Sequence, residues 1–326
     1  MGKQIRGHSQ FKDTMLMNTR TYIDYVERFK KVAVSLFDWK NLPSSMDARF
    51  LEKSLYYLGT ASLLKDPERG FINLKATPDN RLNMYDLPIG IRCWSHEFSK
   101  NRKVYMGLET EKITEKDRET YAILVMNNID MIPTAPTLEL FCQRLAEVQR
   151  TIDINVKAQK HPYLLVTKGD KQLLTIKNVL ARLDDNEWAI IADENISTLD
   201  GFKAIDVKAP YVVDKLSEYK KEIFNETLTY LGISNIDSKK ERMITSETDS
   251  KNELINLNLQ AALNTRKQAC KQFNELFGLE GDKAIDVAVR SDLHNIVKEL
   301  ENSFGGLDGR IALEERIKEE QGAKDV

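Results

Sequence analysis

Breakers are scarce in this sequence: eight prolines and fifteen glycines in 326 residues. So few interruptions leave room for long helices. Cysteine is scarcer still. Cys93, Cys142 and Cys270 share no short spacing, which excludes a zinc knuckle or a disulfide framework and fits a reducing compartment. No apolar run approaches the roughly 20 residues of a membrane span, and the longest are short stretches such as "AILVM" at Ala122–Met126. The opening "MGKQIRGHSQFK" lacks the apolar stretch of a signal peptide, and Arg6 stands where a myristoylation signal has Ser or Thr. Charge of one sign is also missing. The 48 Lys and Arg nearly balance 50 Asp and Glu, for a formal net charge of -2. A basic coat for nucleic acid is thereby excluded, and any nucleic-acid role must come from local charge. No P-loop G-x-x-x-x-G-K-[ST], no G-x-G-x-x-G and no H-E-x-x-H occurs. No fixed-period repeat is present.

What remains is a folded composition, 41% hydrophobic and 30% charged, long enough for about two domains. Residues 1–20 are polar and basic and read as a loose arm. From Thr21 the spacing of Tyr22, Tyr25, Phe29, Val32 and Leu36 predicts a helix, which "NLPSS" should stop. "MDARFLEKSLYYLG" predicts a second helix with Gly59 as its C-cap. Between 66 and 111, "GFINLKA", "IGIRCWSHEF" and "RKVYMGLE" read as short strands, and "TYAILVMNN" as one more.

"PTAPTLELFCQRLAEVQRTIDINVKAQK", from Pro133 to Lys160, is the longest helical signal. Leu138, Phe141, Leu145, Val148, Ile152 and Val156 form a narrow, nearly heptad stripe after Pro136. A compact α/β unit follows, with strands at "PYLLVT" and "WAIIAD" around the helix "QLLTIKNVLARL". "APYVVDKLSEYKKEIFNETLTYLG" carries a second stripe, Val212, Leu216, Tyr219, Ile223, Thr227 and Tyr230, between Pro210 and Gly232. As neighbours the two helices run antiparallel, with the α/β unit at their tip. Residues 234–252 read as a charged loop, and Glu253–Phe277 as a third long helix. "KAIDVAVRS" reads as a strand and "DLHNIVKELENSF" as a helix. The fold class is mainly α with small β subdomains, α+β.

Candidate chemistry is thin. Cys93 and His96 are close in sequence and offer a candidate Cys/His nucleophile pair, but the plain reading is packing within the strand-rich part. Asp184, Asp185 and Glu187 cluster in "RLDDNEW", where a solvated turn is the plain reading and a divalent-cation site the sharper one. Three cationic groups stand out: Lys3, Arg6, Lys12 and Arg20 in the arm; Lys208 and Lys215, seven apart near the start of the second stripe; and Lys239, Lys240 and Arg242 in the charged loop.

"LFDWKNLP", "FLEKS", "PTAPTLELF", "APYVVDKL" and "KKERMIT" occur here in an order that resembles one family. It is the portal, upper collar or head–tail connector protein of small short-tailed bacteriophages with protein-primed linear genomes. The likeness runs from about Tyr25 to Val297. It implies a ring-forming portal fold, twelve subunits at one capsid vertex of the virion, assembled in the host cytoplasm. Double-stranded DNA enters and leaves the head through the channel. Helices 136–160 and 209–231 become the stem, 161–208 the clip, and 21–135 with 253–305 the wing. Residues 1–20 are the arm, 232–252 the channel loop and 306–326 a mobile tail. The resemblance implies Lys208 and Lys215 as channel-lining cations. Lys208 stands in for a family lysine that falls where this chain has Asp206. It also implies Lys239, Lys240 and Arg242 in the channel loop.

The implied partners are other copies of the chain, capsid and scaffolding proteins, the lower collar of the tail and a packaging ATPase. A structural RNA of that machinery is assigned to the basic arm. No cofactor, membrane or catalytic step is implied. The long stripe then has a purpose, because rods side by side in a channel wall need apolar seams on their flanks, and packing against neighbours stabilises them. Near-neutral charge fits a conduit through which DNA must slide. The competing readings are a cytoplasmic oligomeric scaffold with a nucleic-acid-binding arm, and a metal-dependent nuclease using Asp184, Asp185 and Glu187.

Overall fold

The computed structural model describes residues 7–107, 114, 118–160, 163–166, 203–206, 210–233 and 245–293. They fall into two compact units. The first comprises 1–146 and 222–326, the second 147–221.

In the first unit, helix α1 runs from Gly7 to Val34. The expected loose arm is therefore helical from Gly7 onward. No glycine or proline follows Gly7 in this stretch, and Phe11 and Met15 extend the apolar spacing of Tyr22 at helical steps. Tyr25, Phe29 and Val32 are buried as their spacing predicts. "NLPSS" does not end α1. The helix stops at Val34, and the short strand β1 (Phe37–Lys40) intervenes, burying Phe37 and Trp39. Its antiparallel partner is β9 (Asp286–Val289), with Phe37 opposite Val289.

Helix α2 (Ala48–Leu58) has the predicted ends. The Asp47 carboxylate accepts from the Phe50 N–H at 3.1 Å, a side-chain N-cap. Gly59 closes the helix in the left-handed region at φ 76°. A Cβ there would lie 2.0 Å from the Met131 carbonyl oxygen, so glycine is required twice over.

The strand-rich stretch closes into a five-stranded barrel in the order β2 (Thr60–Asp66), β3 (Gly70–Pro78), β4 (Gly90–Trp94), β5 (Ser99–Val104) and β6 (Tyr121–Met126). All neighbours are antiparallel except β5 and β6, which are parallel. Closure removes every edge of this sheet. Leu64, Leu74, Ala76, Ile91, Cys93, Ala122 and Leu124 fill the interior. Strand alternation then sends Lys75, Thr77, Arg92 and Trp94 outward.

Helix α3 (Ala135–Lys160) starts one residue before Pro136, and α4 (Val213–Tyr230) follows the second stripe. In the first unit, Phe141 meets Tyr230 at 5.9 Å between ring centroids, and Arg144 pairs with Glu226 at 3.1 Å. Residue numbers rise along one helix as they fall along the other, so these portions are antiparallel. Gly232 ends α4 at φ 76°, with the Ile233 N–H reaching the Leu228 carbonyl in a Schellman-type close. Helix α5 (Thr245–Phe277) starts eight residues earlier than the apolar period suggests. The loop expected over 234–252 is therefore helical from Thr245.

One buried polar network joins the first unit. Arg266 on α5 grips Glu52 on α2 with both ends of its guanidinium, Nε to Oε1 at 3.0 Å and Nη2 to Oε2 at 2.8 Å. Trp39 Nε1 donates to the same Oε1 at 2.9 Å. Arg266 also donates to the carbonyl and side-chain oxygens of Asn127, and its guanidinium lies 4.2 Å from the Phe37 ring centroid. The two charged side chains are 3% and 4% exposed.

In the second unit, Lys220 donates to Gln149 at 2.7 Å, Asn155 donates to the Pro210 carbonyl, and the Val212 N–H donates back to Asn155. The helix portions here are again antiparallel. Strand β7 (Tyr163–Val166), within the expected "PYLLVT", pairs with β8 (Lys203–Asp206), a segment not anticipated as a strand. The expected strand "WAIIAD" and helix "QLLTIKNVLARL" lie outside the described residues, as does the bulk of "DLHNIVKELENSF".

Candidate nucleic-acid interface

Among the cations singled out in the sequence, Lys3, Arg6, Lys208, Lys239, Lys240 and Arg242 lie outside the described residues. Lys12 and Arg20 belong to α1 rather than to a loose tail, and Arg20 is exposed. Lys215 lies in the first turn of α4, exposed, beside Asp214 and one turn before Glu218 and Tyr219. The described residues thus bring none of these cations together.

The candidate catalytic pair does not form a site. Ile91 and Cys93 alternate into the barrel core, and Cys93 is fully buried, whereas His96 is exposed in the turn after β4. Burial pushes the Cys93 thiol up, away from the thiolate a nucleophile needs. Asp184, Asp185 and Glu187 lie outside the described residues, and no cluster of three metal-ligating side chains occurs among the described ones. No described helix is long and apolar enough to cross a membrane.

The surface offers other features. Leu140, Ile154 and Val156 on α3 and Tyr219 on α4 are 59%, 60%, 43% and 44% exposed. Ile152 and Val156, the last two members of the α3 stripe, therefore have no complete cover within one chain. An open pocket of about 660 Å³ lies beside the end of α5, lined by Lys267, Lys271, Glu275 and Asp286 among others. Its mixed charges and exposure give it no catalytic arrangement.

Sequence reasoning missed the Glu52–Arg266 network, because 214 positions separate the partners and the motif "FLEKS" that holds Glu52 does not reveal its partner. It also missed how the barrel strands distribute charge, although that could have been counted. Strands β3, β4 and β5 hold Lys75, Arg92, Lys100, Arg102 and Lys103 and not one Asp or Glu.

Fold and surface define an α+β protein of long paired helices and a small closed barrel, with exposed apolar helix positions among the described residues. The sequence carries the classification further. Residues 8–294 match the model of the family Phage Connector (GP10), and the chain belongs to that family of phage portal and head–tail connector proteins. Among solved structures it is similar to a chain in the portal and tail of native bacteriophage P68, at 13% identity, TM-score 0.44, covering 94% of this chain and 99% of that one. It is also similar to a chain in the neck of an empty GTA particle, at 10% identity, TM-score 0.36 and 86% of each chain. A further similarity, 32% identity over 136 residues, is to the oligopeptide transport ATP-binding protein OppF of Bacillus subtilis. The chain spans about two fifths (41%) of that relative's length. The P-loop that would carry ATP binding across is absent from this sequence.

Proposed function

We propose that this chain is a portal subunit, twelve copies of which close into a ring at one capsid vertex and pass double-stranded DNA through the centre. Family membership over residues 8–294 carries this reading. The exposed Leu140, Ile154, Val156 and Tyr219 support it, since full burial of such a side chain is worth about 1.5–3 kcal/mol and neighbouring copies would supply the cover. A rotationally closed ring uses head-to-tail contacts between two different faces of each subunit.

In this reading α3 and α4 form the stem, 161–208 the clip, and the barrel with α1, α2 and α5 the wing. The channel loop shortens to 234–244, because α5 begins at Thr245. Lys208 and Lys215 provide cationic rings in the channel, and Lys239, Lys240 and Arg242 face it from the loop. Capsid and scaffold meet the wing, whereas the lower collar and the packaging ATPase meet the clip. Lys3, Arg6, Lys12 and Arg20 contact the structural RNA where one is present, now with Lys12 and Arg20 presented on a helix. The chain itself performs no catalytic step, and the work of packaging comes from the ATPase.

Electron microscopy of the purified protein tests this. Top views with an open centre and about twelve subunits are expected. A monomer or dimer that stays without rings, even when co-expressed with capsid and scaffold, would overturn it.

A further inference from the structure

The barrel carries an arrangement the channel reading does not use. Register places Lys75 opposite Trp94 and Trp94 opposite Ser99, Thr77 opposite Arg92 and Arg92 opposite Asn101, and Gly90 opposite Lys103. All of these point away from the barrel core, because their neighbours Leu74, Ala76, Ile91 and Cys93 point in. The outward face of β3, β4 and β5 is therefore lined by Lys75, Arg92 and Lys103 among hydroxyl and amide side chains; these strands add no carboxylate of their own, and Asp79, which lies over Gly90, is already held by the Arg81 guanidinium. This segregation occurs in a chain whose total charge nearly cancels.

The three cations keep their charge unneutralised, with Lys75 resting over the Trp94 ring. None takes part in an ion pair among the described residues, whereas Lys100, on an inward position of β5, is tied to Asp66 at 3.3 Å. Arg92 is held in place: its Nε donates to Ser99 Oγ at 3.0 Å, which leaves the terminal nitrogens directed at solvent and the serine hydroxyl free to donate. Trp94 Nε1 donates to Thr77 Oγ1 at 3.0 Å, so the threonine hydroxyl also retains its proton for an outside acceptor. Diagonal neighbours on adjacent strands lie about 7–8 Å apart, so Lys75, Arg92 and Lys103 step across the sheet at a spacing close to that of successive phosphates.

We propose that this face grips the phosphate backbone of duplex DNA from outside the barrel, a contact separate from the channel. Cations flanked by Ser, Thr and Asn donors are the side chains that usually contact phosphate. Two alternatives fit less well. Single-stranded nucleic acid binds by stacking bases on open aromatic rings. Of the aromatic rings at outward positions, Phe71 packs against Phe273 and Phe277 of α5, and Trp94 has the Lys75 ammonium 4.7 Å from its centroid and its N–H engaged. A protein partner would need a central apolar anchor; of the aromatic side chains at outward positions, Phe71 is already covered by α5 and Trp94 is half-buried beneath the Lys75 ammonium.

The test uses the full-length protein and relaxed circular duplex DNA, which has no end to enter a ring. Affinity is measured across salt concentrations for the wild type and for Lys75→Ala/Arg92→Ala/Lys103→Ala. Each phosphate contact contributes about 0.9 to the slope of log affinity against log salt, so the slope should fall by about 2.7 or more. Lys75→Arg/Arg92→Lys/Lys103→Arg should keep the wild-type slope, and so should Lys215→Ala. If the triple alanine variant does not fold, the three single variants carry the test, each expected to lower the slope by about 0.9. An unchanged slope in the alanine variants overturns the proposal. A larger effect on single-stranded DNA or on poly-glutamate than on the duplex also overturns it. Because the circle cannot thread a channel, this result is independent of whether the protein forms the proposed ring.

Discussion

Replacing Arg266 by Met should be among the most damaging single changes in the first unit, for a reason the geometry makes quantitative. The substitution conserves much of the side chain's bulk but removes five donated hydrogen bonds: two to Glu52, two to Asn127 and one to the Ala262 carbonyl. Glu52 is left buried with Trp39 Nε1 as its remaining donor. Breaking a buried pair by removing one partner costs about 3–5 kcal/mol. Glu52→Gln should cost less, about 1–3 kcal/mol, because Arg266 keeps Asn127, the Ala262 carbonyl and the Phe37 ring, and the amide oxygen still accepts from Trp39. Glu52→Leu with Arg266→Met removes both charges together. That double variant should be more stable than the sum of its single variants implies, with a coupling of about 0.5–3 kcal/mol. Denaturant midpoints of the full-length protein, with equal slopes, read these values. Since the pair is 3% and 4% exposed, the cost should be nearly the same at low and high salt. A cost for Arg266→Met below about 1 kcal/mol, or strict additivity in the double variant, would refute the idea that this network ties α2, β1 and α5 together.

Other outcomes are expected. Gly59→Ala should destabilise more than Gly70→Ala. Both adopt left-handed φ, a strain of about 1–3 kcal/mol, but only at Gly59 does a Cβ meet backbone, 2.0 Å from Met131 O, while Gly70 has open space; thermal melts rank the two. Burial, assisted by Glu139 and Asp286 respectively, pushes the Cys142 and Cys270 thiols up to about 12, so neither should react with a disulfide reagent at pH 8 until the protein unfolds. Their contribution to stability is present below the ordinary thiol value of 9.0 and is lost as pH rises toward 12. Burial alone would raise the Asp66 carboxyl, but the N–H groups of Glu68 and Arg69 and the Lys100 ammonium hold it below its ordinary value. Its contribution is therefore present above that value and lost on acidification, and Asp66→Asn should flatten the acid limb of a stability–pH curve. Lys208→Ala with Lys215→Ala should leave rings intact under the microscope, and deletion of 238–244 should spare assembly while packaged DNA leaks; failed assembly in either case counts against the channel assignment.

The helices were the legible part of this chain, because their information is local. Asp47 and Gly59 mark both ends of α2 within one stretch of sequence, and Pro136 marks the start of α3. Strands β3, β4, β5 and β6 were legible as segments, but β2 was not, and neither was the barrel. Register and closure depend on pairs such as Ala61 with Val125, which no local pattern encodes. β1, β2 and β8 escaped notice for the same reason: β1 and β8 are four residues each, and all three pair with segments distant in sequence. The start of α1 was misjudged because polar composition was taken for looseness, while the spacing of Phe11, Met15 and Tyr22 already continued the helix. The start of α5 was misjudged likewise, because a helix can extend into polar sequence once its later turns are anchored by Leu263, Ala269 and Phe273. Of the candidate site, little was legible. Motif searching looks for chemistry within a short window, and here the informative side chains come from strands that meet only after folding.

Net charge was the most misleading global quantity, and the barrel explains why. A total near zero is compatible with an even mixture of signs or with signs sorted by element. The first would leave no surface able to hold a polyanion. The second leaves such a surface wherever a folded element exposes only one sign. On β4 and β5 the two faces differ in this respect: the inward-facing Lys100 is tied to Asp66 at the barrel rim and the inward-facing Arg102 is half-buried with its Nε enclosed, whereas the outward-facing Arg92 and Lys103 are exposed and make no ion pair among the described residues. Pairing parity, not composition, decides which cations remain available, because a shift of one residue in register would exchange the two sets. Charge in a chain of this kind is therefore best counted per strand face once the strands are known, and the near-neutral sum sets no limit on local binding.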